Sequence, residues 1–277
     1  MLQNKVAITG ATSATALWIT RVFSLKGWNT SALCSRLEDS YSGIKKERIR
    51  WLKTLAQVSF DVRSETDGFA RWIKINKPGI WVHHHHLVEN YKSPNYDYAR
   101  SLKEGVAPLV KLVEALKENN CRGIILTGSY FEPGEQGSNN TPYAKSKTEV
   151  SEALKHLADA LKIRFSKIVV PDPVGPLENE DRFLPQFFKA LKEERKFNLT
   201  TPDLVADHIP MSDLGKIYEE AARDLLTSKG KVIRPSGWVG PYKDWARFIL
   251  EGKDISWTNF FKEYAQYLKT REPWRAK

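Results

Sequence analysis

No stretch of this 277-residue sequence approaches the ~20 consecutive apolar residues that a membrane-spanning helix needs, which excludes a helical membrane protein. Cysteine is nearly absent. Cys34 and Cys121 are too few for a disulfide framework, and each falls in or beside a predicted strand, where a thiol behaves as a small buried apolar residue. That pattern suits a reducing compartment. The strand-like run Lys5-Val6-Ala7-Ile8 starts almost at Met1, so no export signal is expected, and the expected location is cytoplasmic. Internal repeats, low-complexity tracts and long flexible linkers are also missing, so any second lobe should pack on the first. Acidic residues are in deficit: 33 against 43 lysines and arginines leave a formal charge of +10, which favours anionic ligands. Lys45, Lys46, Arg48, Arg50 and Lys53 read as a solvated helix face, and nucleic acid is not an expected partner.

What remains is an ordinary globular composition, 41% hydrophobic and 27% charged, long enough for one large α/β domain with a small cap. Short apolar runs alternate with longer amphipathic ones. Strands are predicted at 5–9, 29–34, 56–60, 79–84, 122–127 and 164–170, and helices at 14–26, 64–76, 97–118 and 143–162, with Gly27 ending the first. Such alternation predicts a doubly wound parallel sheet. After Pro171 it loosens, and helical patterns near 183–195, 212–227, 241–252 and 258–269 predict a smaller second lobe.

Two segments carry chemistry. Residues 5–16 read as a strand, a tight turn and a helix start, an arrangement in which helix-end amides face a pyrophosphate. Thr9-Gly10-x-x-Ser13-x-x-Ala16 resembles the Thr-Gly-x-x-Gly-x-x-Gly fingerprint of extended short-chain dehydrogenases, with Ser13 and Ala16 in place of glycines. The second segment is Tyr143-Ala144-Lys145-Ser146-Lys147, preceded by Thr127-Gly128-Ser129 at a strand end. Tyr143 and Lys147 are four apart on a helix and share a face. Reducing a ketone by hydride creates an alkoxide that must gain a proton. An ammonium beside a phenol lowers its pKa toward that task, so Lys147 is expected to tune Tyr143 and Ser129 to bind the substrate oxygen, with Thr127 as its fallback.

The resemblance to extended short-chain dehydrogenases, particularly nucleotide-sugar epimerases, dehydratases and reductases, covers most of the chain. Pro171-Asp172-Pro173-Val174-Gly175-Pro176 is similar to that family's Asn-Val-x-Gly-Pro segment, and Asp207-His208-Ile209-Pro210-Met211-Ser212-Asp213 to its Arg-Asp-x-Ile-x-Val-x-Asp signature. Asp172 replaces the asparagine, Ala206 the arginine, and Gly105 stands where relatives carry a helix-bending asparagine. The resemblance implies a Rossmann-type dinucleotide-binding domain over 1–172 and mainly a smaller substrate-binding lobe over 173–277. It implies cofactor contacts from Thr9, Gly10, Thr12, Ser13, Ala14, Ser35, Arg36, Asp61, Val62, His83, His85, Tyr143, Lys147 and Pro171. On the substrate side it implies His86, Ser129, Tyr130, Asp172, Arg182 and Phe183.

Where NAD-preferring relatives carry an acid after the second strand, this sequence has Ser35-Arg36, which suits a 2′-phosphate. NADP(H) is therefore the preferred cofactor and NAD(H) the second candidate. Asp61 is placed near the adenine, or caps the next helix. The run His83-His84-His85-His86 invites a metal, but successive strand side chains point to opposite faces, so about two at most converge and no third ligand is evident. No metal is expected. The expected function is an NADPH-dependent reductase, or an epimerase, acting on a keto or hydroxy group of a nucleotide-linked sugar. The alternative is a non-catalytic NADP-sensing or RNA-binding protein on the same fold. A homodimer is expected through the helices at 97–118 and 143–162, whose apolar stripes comprise Leu109, Leu112, Val113, Leu116, Val150, Leu154 and Leu157.

Overall fold

A computed structural model describes residues 4–251 and 255–274. In chain order these form β1 (Lys5–Thr9), α1 (Ala14–Leu25), β2 (Asn29–Leu33), α2 (Gly43–Leu55), β3 (Gln57–Ser59), α3 (Asp67–Asn76) and β4 (Ile80–His83). Next come α4 (Tyr98–Gly105), α5 (Leu109–Glu118), β5 (Gly123–Ser129), α6 (Pro142–Ala160), β6 (Arg164–Val170), β7 (Asp172–Val174) and α7 (Phe183–Lys192). The chain finishes with β8 (Val205–Pro210), α8 (Met211–Thr227), β9 (Val232–Ile233), β10 (Trp238–Pro241), α9 (Tyr242–Glu251) and α10 (Ile255–Thr270).

Seven strands make one sheet in the order β3-β2-β1-β4-β5-β6-β9, every pairing parallel, as the alternation predicts. Parallel pairing needs a crossover for each strand, so both faces are covered by helices and the central strands are buried on both sides. One face packs Trp81 and Ile124 against Phe69, Leu112, Leu116, Val150 and Leu154. The other packs Ile8, Val82 and Ile125 against Ile19, Phe23, Leu214 and Tyr218. The strands begin and end within a few residues of the predicted positions. The basic run expected as a solvated helix face is α2, which buries Arg48, Ile49 and Leu52.

Three expectations need correction. The single helix expected over 97–118 is two, because Pro108 has no N–H to continue the ladder and its ring clashes with the preceding turn, so α5 starts afresh there. The helix expected at 212–227 is α8, and it lies on the main sheet rather than in the second lobe. It crosses α1 so closely that a Cβ at Gly215 would stand 2.7 Å from Val22 Cγ2, and Trp28 Nε1 donates to Glu219 Oε1 at 2.8 Å across the contact. Together with β9, it carries residues 211–233 back to the first domain. The second lobe is what is left: a small sheet in the order β10-β8-β7, with α7, α9 and α10 around an aromatic core of Phe187, Trp245, Trp257, Phe261 and Tyr264.

The third correction concerns the stripes assigned to a dimer. Leu109, Leu112, Val113, Leu116, Val150 and Leu154 all lie in the core beneath α5 and α6, with Leu157 packed against it. A crossover helix must cover its sheet with its apolar face, and these stripes serve that purpose. Cys34 and Cys121 are buried free thiols pushed up to about 12, chiefly by burial, which leaves them inert near neutrality. Among the described residues no helix is long and apolar enough to cross a membrane.

Leu112→Ala and Leu154→Ala should each lower stability by about 2–5 kcal/mol, the cost of a large-to-small change in a packed core. Urea midpoints measured at two protein concentrations tenfold apart should be equal for each variant. A concentration-dependent loss would return the stripes to an intermolecular interface.

Candidate active site

The functional side chains converge because parallel strands place their C-terminal ends on one edge of the sheet, where β1, β2, β4, β5 and β6 all finish. At the end of β1 the turn depends on Gly10, which has φ +70° and whose Cβ would stand 2.9 Å from the His85 backbone nitrogen. Ser13 caps α1, its Oγ accepting from the Ala16 N–H at 3.0 Å. Thr12 and Ser13 are half-buried at the positive end of the helix, and Ala14 is buried just inside it. Thr9 faces into the sheet instead, donating to the Val82 carbonyl at 3.3 Å and accepting from Trp81 Nε1 at 3.3 Å.

The ends of β2 and β3 assemble the expected adenosine region. Ser35 is half-buried, while Arg36 is exposed and held through its N–H on the Tyr41 hydroxyl at 3.0 Å. Val62 donates to the Cys34 carbonyl at 3.0 Å and Asp61 to the Arg36 carbonyl at 3.1 Å. Asp61 adopts the left-handed conformation, φ 54°, and its carboxylate accepts from Arg63 Nε at 3.0 Å. Lys45 is held below the ordinary lysine value by partial burial, then by Arg36 and Arg48, with Glu89 opposing. Arg48 is buried, and its guanidinium donates to the carbonyls of Leu177 at 2.7 Å and Thr12 at 3.1 Å, and to Asn179 Oδ1 at 2.8 Å. Cations thus gather at this end of the cleft, and no carboxylate pairs with Arg36 among the described residues. That donor set is of the chemistry a phosphate-bearing dinucleotide requires.

At the other end, Thr141 caps α6 through Oγ1, accepting from Ala144 N–H at 3.2 Å, and Pro142 occupies the first turn. Tyr143 and Lys147 follow on the face toward β5. Lys147 Nζ donates to the Thr127 carbonyl at 2.6 Å. Ser129 is buried; it donates its N–H to Glu132 Oε1 at 2.7 Å and accepts at Oγ from the Phe131 N–H at 3.3 Å, which leaves its own O–H as a donor. Glu132 is buried and pairs with Lys167 at 2.6 Å. The Tyr143 ring lies 5.3 Å from Tyr91, 5.4 Å from His86 and 5.7 Å from Tyr96, and its hydroxyl makes no hydrogen bond among the described residues.

The electrostatics differ from expectation here. Burial, then Tyr96 and Tyr91, push the Tyr143 phenol above its ordinary value, whereas the sequence reading has Lys147 pulling it down. The reason is geometric: the ammonium is directed at the Thr127 carbonyl, and burial meets no offsetting positive charge at the phenol. Lys147 itself is lowered to about 8, by burial foremost, with Glu132 opposing and Lys167 adding to the fall. Gly105 has a packing explanation, since a Cβ there would stand 2.9 Å from Val150 Cγ2 where α4 crosses α6.

The four histidines diverge. His83 points into the core, 3% exposed, its ring stacked on Trp81 at 4.8 Å with neither nitrogen hydrogen-bonded, so the structure gives no support to a cofactor contact from it. His84 spans two hydroxyls, Nε2 to Ser13 Oγ at 2.9 Å and Nδ1 to Thr127 Oγ1 at 2.9 Å. His85 presses its backbone on Gly10. His86 reaches Ser146 Oγ at 3.0 Å and meets the edge of Tyr143. All four are held below the ordinary histidine value, chiefly by burial, His84 at about 3. Among the described residues no group of three histidines, cysteines or carboxylates could hold a metal.

Beyond β6, the buried Pro171 leads into β7, where the residues expected to meet substrate begin. Asp172 pairs with Arg182, accepts from the Tyr242 hydroxyl at 3.2 Å and lies 3.1 Å from His208 Nδ1. Arg182 Nε also meets Glu178 Oε2 at 3.2 Å. Burial pushes Asp172 up, but Arg182 and then His208 bring it net below the usual carboxylate range, while burial carries Glu178 up to about 8 against Arg182. Tyr130 lies nearby, its phenol raised by burial and then Asp172. Phe183 stacks on Phe187 at 5.6 Å and touches Tyr242 at 5.0 Å. Asp172, Arg182 and Phe183 were expected here, but their enclosure by Glu178, His208 and Tyr242 was not. The contacts of His84 and Arg48 likewise depend on elements far apart in the chain.

The profile of the NAD dependent epimerase/dehydratase family matches residues 6–218. No curated protein matches the sequence. Solved structures similar to this chain include UDP-N-acetylglucosamine 4-epimerase from Methanobrevibacter ruminantium in complex with UDP-N-acetylmuramic acid, 15% identical, TM-score 0.73, covering 94% of this chain and 92% of that one. Another is UDP-glucuronic acid 4-epimerase from Bacillus cereus in complex with UDP-glucuronic acid and NAD, 15% identical, TM-score 0.71, covering 90% and 84%. A third is UDP-glucose 4-epimerase from Thermus thermophilus in complex with NAD, 13% identical, TM-score 0.69, covering 89% and 82%. At these identities the likeness is one of fold.

The histidine run should make the protein acid-sensitive. His83, His84, His85 and His86 have folded values below the ordinary 6.5, so below that pH the unfolded chain binds protons that the folded chain refuses. Their contribution is complete above pH 6.5 and is lost as pH falls. Glu178 acts the opposite way, since the fold keeps its proton up to about 8, but it is one group against four. The urea midpoint should therefore drop between pH 7 and pH 5. A midpoint unchanged over that interval would show that the four imidazoles accept protons inside the fold.

Proposed function

The chain belongs to the NAD dependent epimerase/dehydratase family, and from that premise we propose that it catalyses nicotinamide-dependent hydride transfer at a hydroxyl- or keto-bearing carbon of a nucleotide-linked sugar. The observation that carries this reading is the placement of Tyr143 and Lys147 on one face of α6, against the end of β5 where Ser129 presents its hydroxyl. Epimerisation is the form supported by the similar solved structures. Net reduction is the second reading, favoured by the cations Arg36 and Lys45, because an NADPH-linked enzyme draws on the reducing pool whereas an epimerase returns its hydride.

A bound cofactor would supply the hydride acceptor and donor. Its diphosphate suits the turn at Thr12 and Ser13, where the α1 dipole and helix-end amides favour negative charge. The 2′-phosphate suits Arg36, which supports NADP(H) ahead of NAD(H). Ser129 Oγ donates a hydrogen bond to the reacting oxygen of the sugar and holds it beside Tyr143. A phenol raised by burial is neutral at physiological pH, so Tyr143 serves as the acid that protonates the oxyanion as charge develops. The reverse step requires the ammonium of Lys147 close enough to favour phenolate. The aromatic wall of Tyr91, Tyr96 and His86 limits water around that phenol. The second lobe, with Tyr130, Asp172, Arg182 and Phe183, is proposed to hold the nucleotide sugar.

Tyr143→Phe should slow turnover by about 10²–10⁴-fold while leaving NADPH affinity nearly intact, whereas Lys147→Ala should damage both. Turnover is read from sugar-nucleotide isomers separated by chromatography and, in parallel, from NADPH absorbance. Isomer exchange without absorbance change identifies an epimerase, and stoichiometric loss of absorbance a reductase. Wild-type turnover in Tyr143→Phe would remove the mechanism. Retention of RNA by the purified protein with no turnover on any sugar nucleotide would instead favour a binding protein on this fold.

Arg36→Ala should weaken NADPH more than NADH in calorimetric titrations. An unchanged ratio would show that the adenosine end is read by other groups.

A further inference from the structure

We propose that His84 is a positioning residue that ties the phosphate-facing turn of α1 to the strand end holding Lys147, so that binding at one end of the cofactor cleft sets the placement of the ammonium at the other. The proposal rests on the cofactor reading given above.

The topology makes such a tie available at one place. β4 lies between β1 and β5, and the registers Thr9 to His83 and His83 to Leu126 bring the residue after His83 level with Gly10 on one side and Thr127 on the other. His84 occupies that position, and both ring nitrogens are engaged at 2.9 Å, one by Ser13 Oγ and the other by Thr127 Oγ1. The hydrogen bonds can all be satisfied in one direction. Ser13 Oγ accepts from the Ala16 N–H and donates to Nε2, so the ring carries its proton on Nδ1 and donates to Thr127 Oγ1, which donates to the Tyr218 hydroxyl at 2.7 Å. Imidazole is the side chain that places two polar atoms on opposite edges of one rigid plane, so neither hydroxyl can shift without displacing the other.

Thr127 completes the connection. Its side chain receives His84 and its carbonyl accepts from Lys147 Nζ at 2.6 Å, so the atoms that fix the ring and the ammonium belong to one residue. Ser13, at the other end, is the helix cap in the turn that faces the diphosphate. Because the imidazole stays neutral far below working pH, it contributes geometry and no charge.

The test compares wild type with His84→Leu, which removes both bonds, and with His84→Asn and His84→Gln, which each retain one polar arm. NADPH affinity is followed by fluorescence from pH 6.5 to 9, with thermal midpoints in parallel. In His84→Leu the dissociation constant should rise about tenfold. The alkaline weakening of binding, set by Lys147, should move down by about half a pH unit, since Thr127, whose carbonyl accepts from the ammonium, loses the ring that anchors its side chain. Asn and Gln should lie between. A structural role alone would lower the thermal midpoint while leaving the dissociation constant and the alkaline limb at wild-type values, and that result overturns the proposal. If His84→Leu does not fold, the Asn and Gln variants carry the same comparison. Wild-type protein that binds neither NADPH nor NADH would overturn the cofactor reading and this proposal with it, whereas wild-type binding that the variants leave unchanged overturns this proposal alone.

Discussion

The pairing of β4 with β1 on one side and β5 on the other is the constraint on which the rest of the structure depends. It sets the glycine turn, the histidine run and the end of β5 side by side on one edge of the sheet. It also explains why Gly10 tolerates no side chain: the backbone leaving β4 occupies the space a Cβ would need. Parallel pairing cannot be made by short turns, so each of these neighbours is delivered by a helical crossover, and those helices supply the two cores that hold the sheet between them.

Inside that frame the ends of the strands separate neutral polar groups from charged ones. The middle, from Ser13 through His84 to Thr127, is neutral and fully hydrogen-bonded, with the imidazole kept uncharged by burial. Charge is confined to the ends. At one end Arg36, Lys45 and Arg48 gather beyond β2, and at the other Lys147 is opposed by Lys167 and supported by Glu132. Buried charges are costly unless paired or matched by a ligand. The Asp172, Glu178 and Arg182 group shows the paired solution.

Most of the fold was legible in the residues. The alternation of short apolar runs with amphipathic ones located six strands of the main sheet and the helices between them, because local periodicity reports directly on which face an element buries. Tyr143 and Lys147 were legible for the same reason, as spacing along one helix determines a shared face. Less was legible where the answer depended on a distant element. The stripes on α5 and α6 read as an interface although core packing explains them, and α8 read as part of a second lobe. The phenol of Tyr143 carried an expectation that burial reversed once Lys147 was found directed at Thr127.

The sequence by itself determined the class of fold, the order of its main-sheet elements and the residue types available at the ends of its strands. Tertiary structure alone decided that His83 turns into the core while His84 bridges the cleft, that Gly105 answers to Val150, and that residues 211–233 return to the main sheet. The physical reason is the range of the interactions. Periodicity, capping and turn chemistry act over a few neighbouring residues. Hydrogen-bond partners, burial and the charges that shift a pKa come from segments 40 to 130 residues away, and nothing in the local pattern specifies which of them will meet.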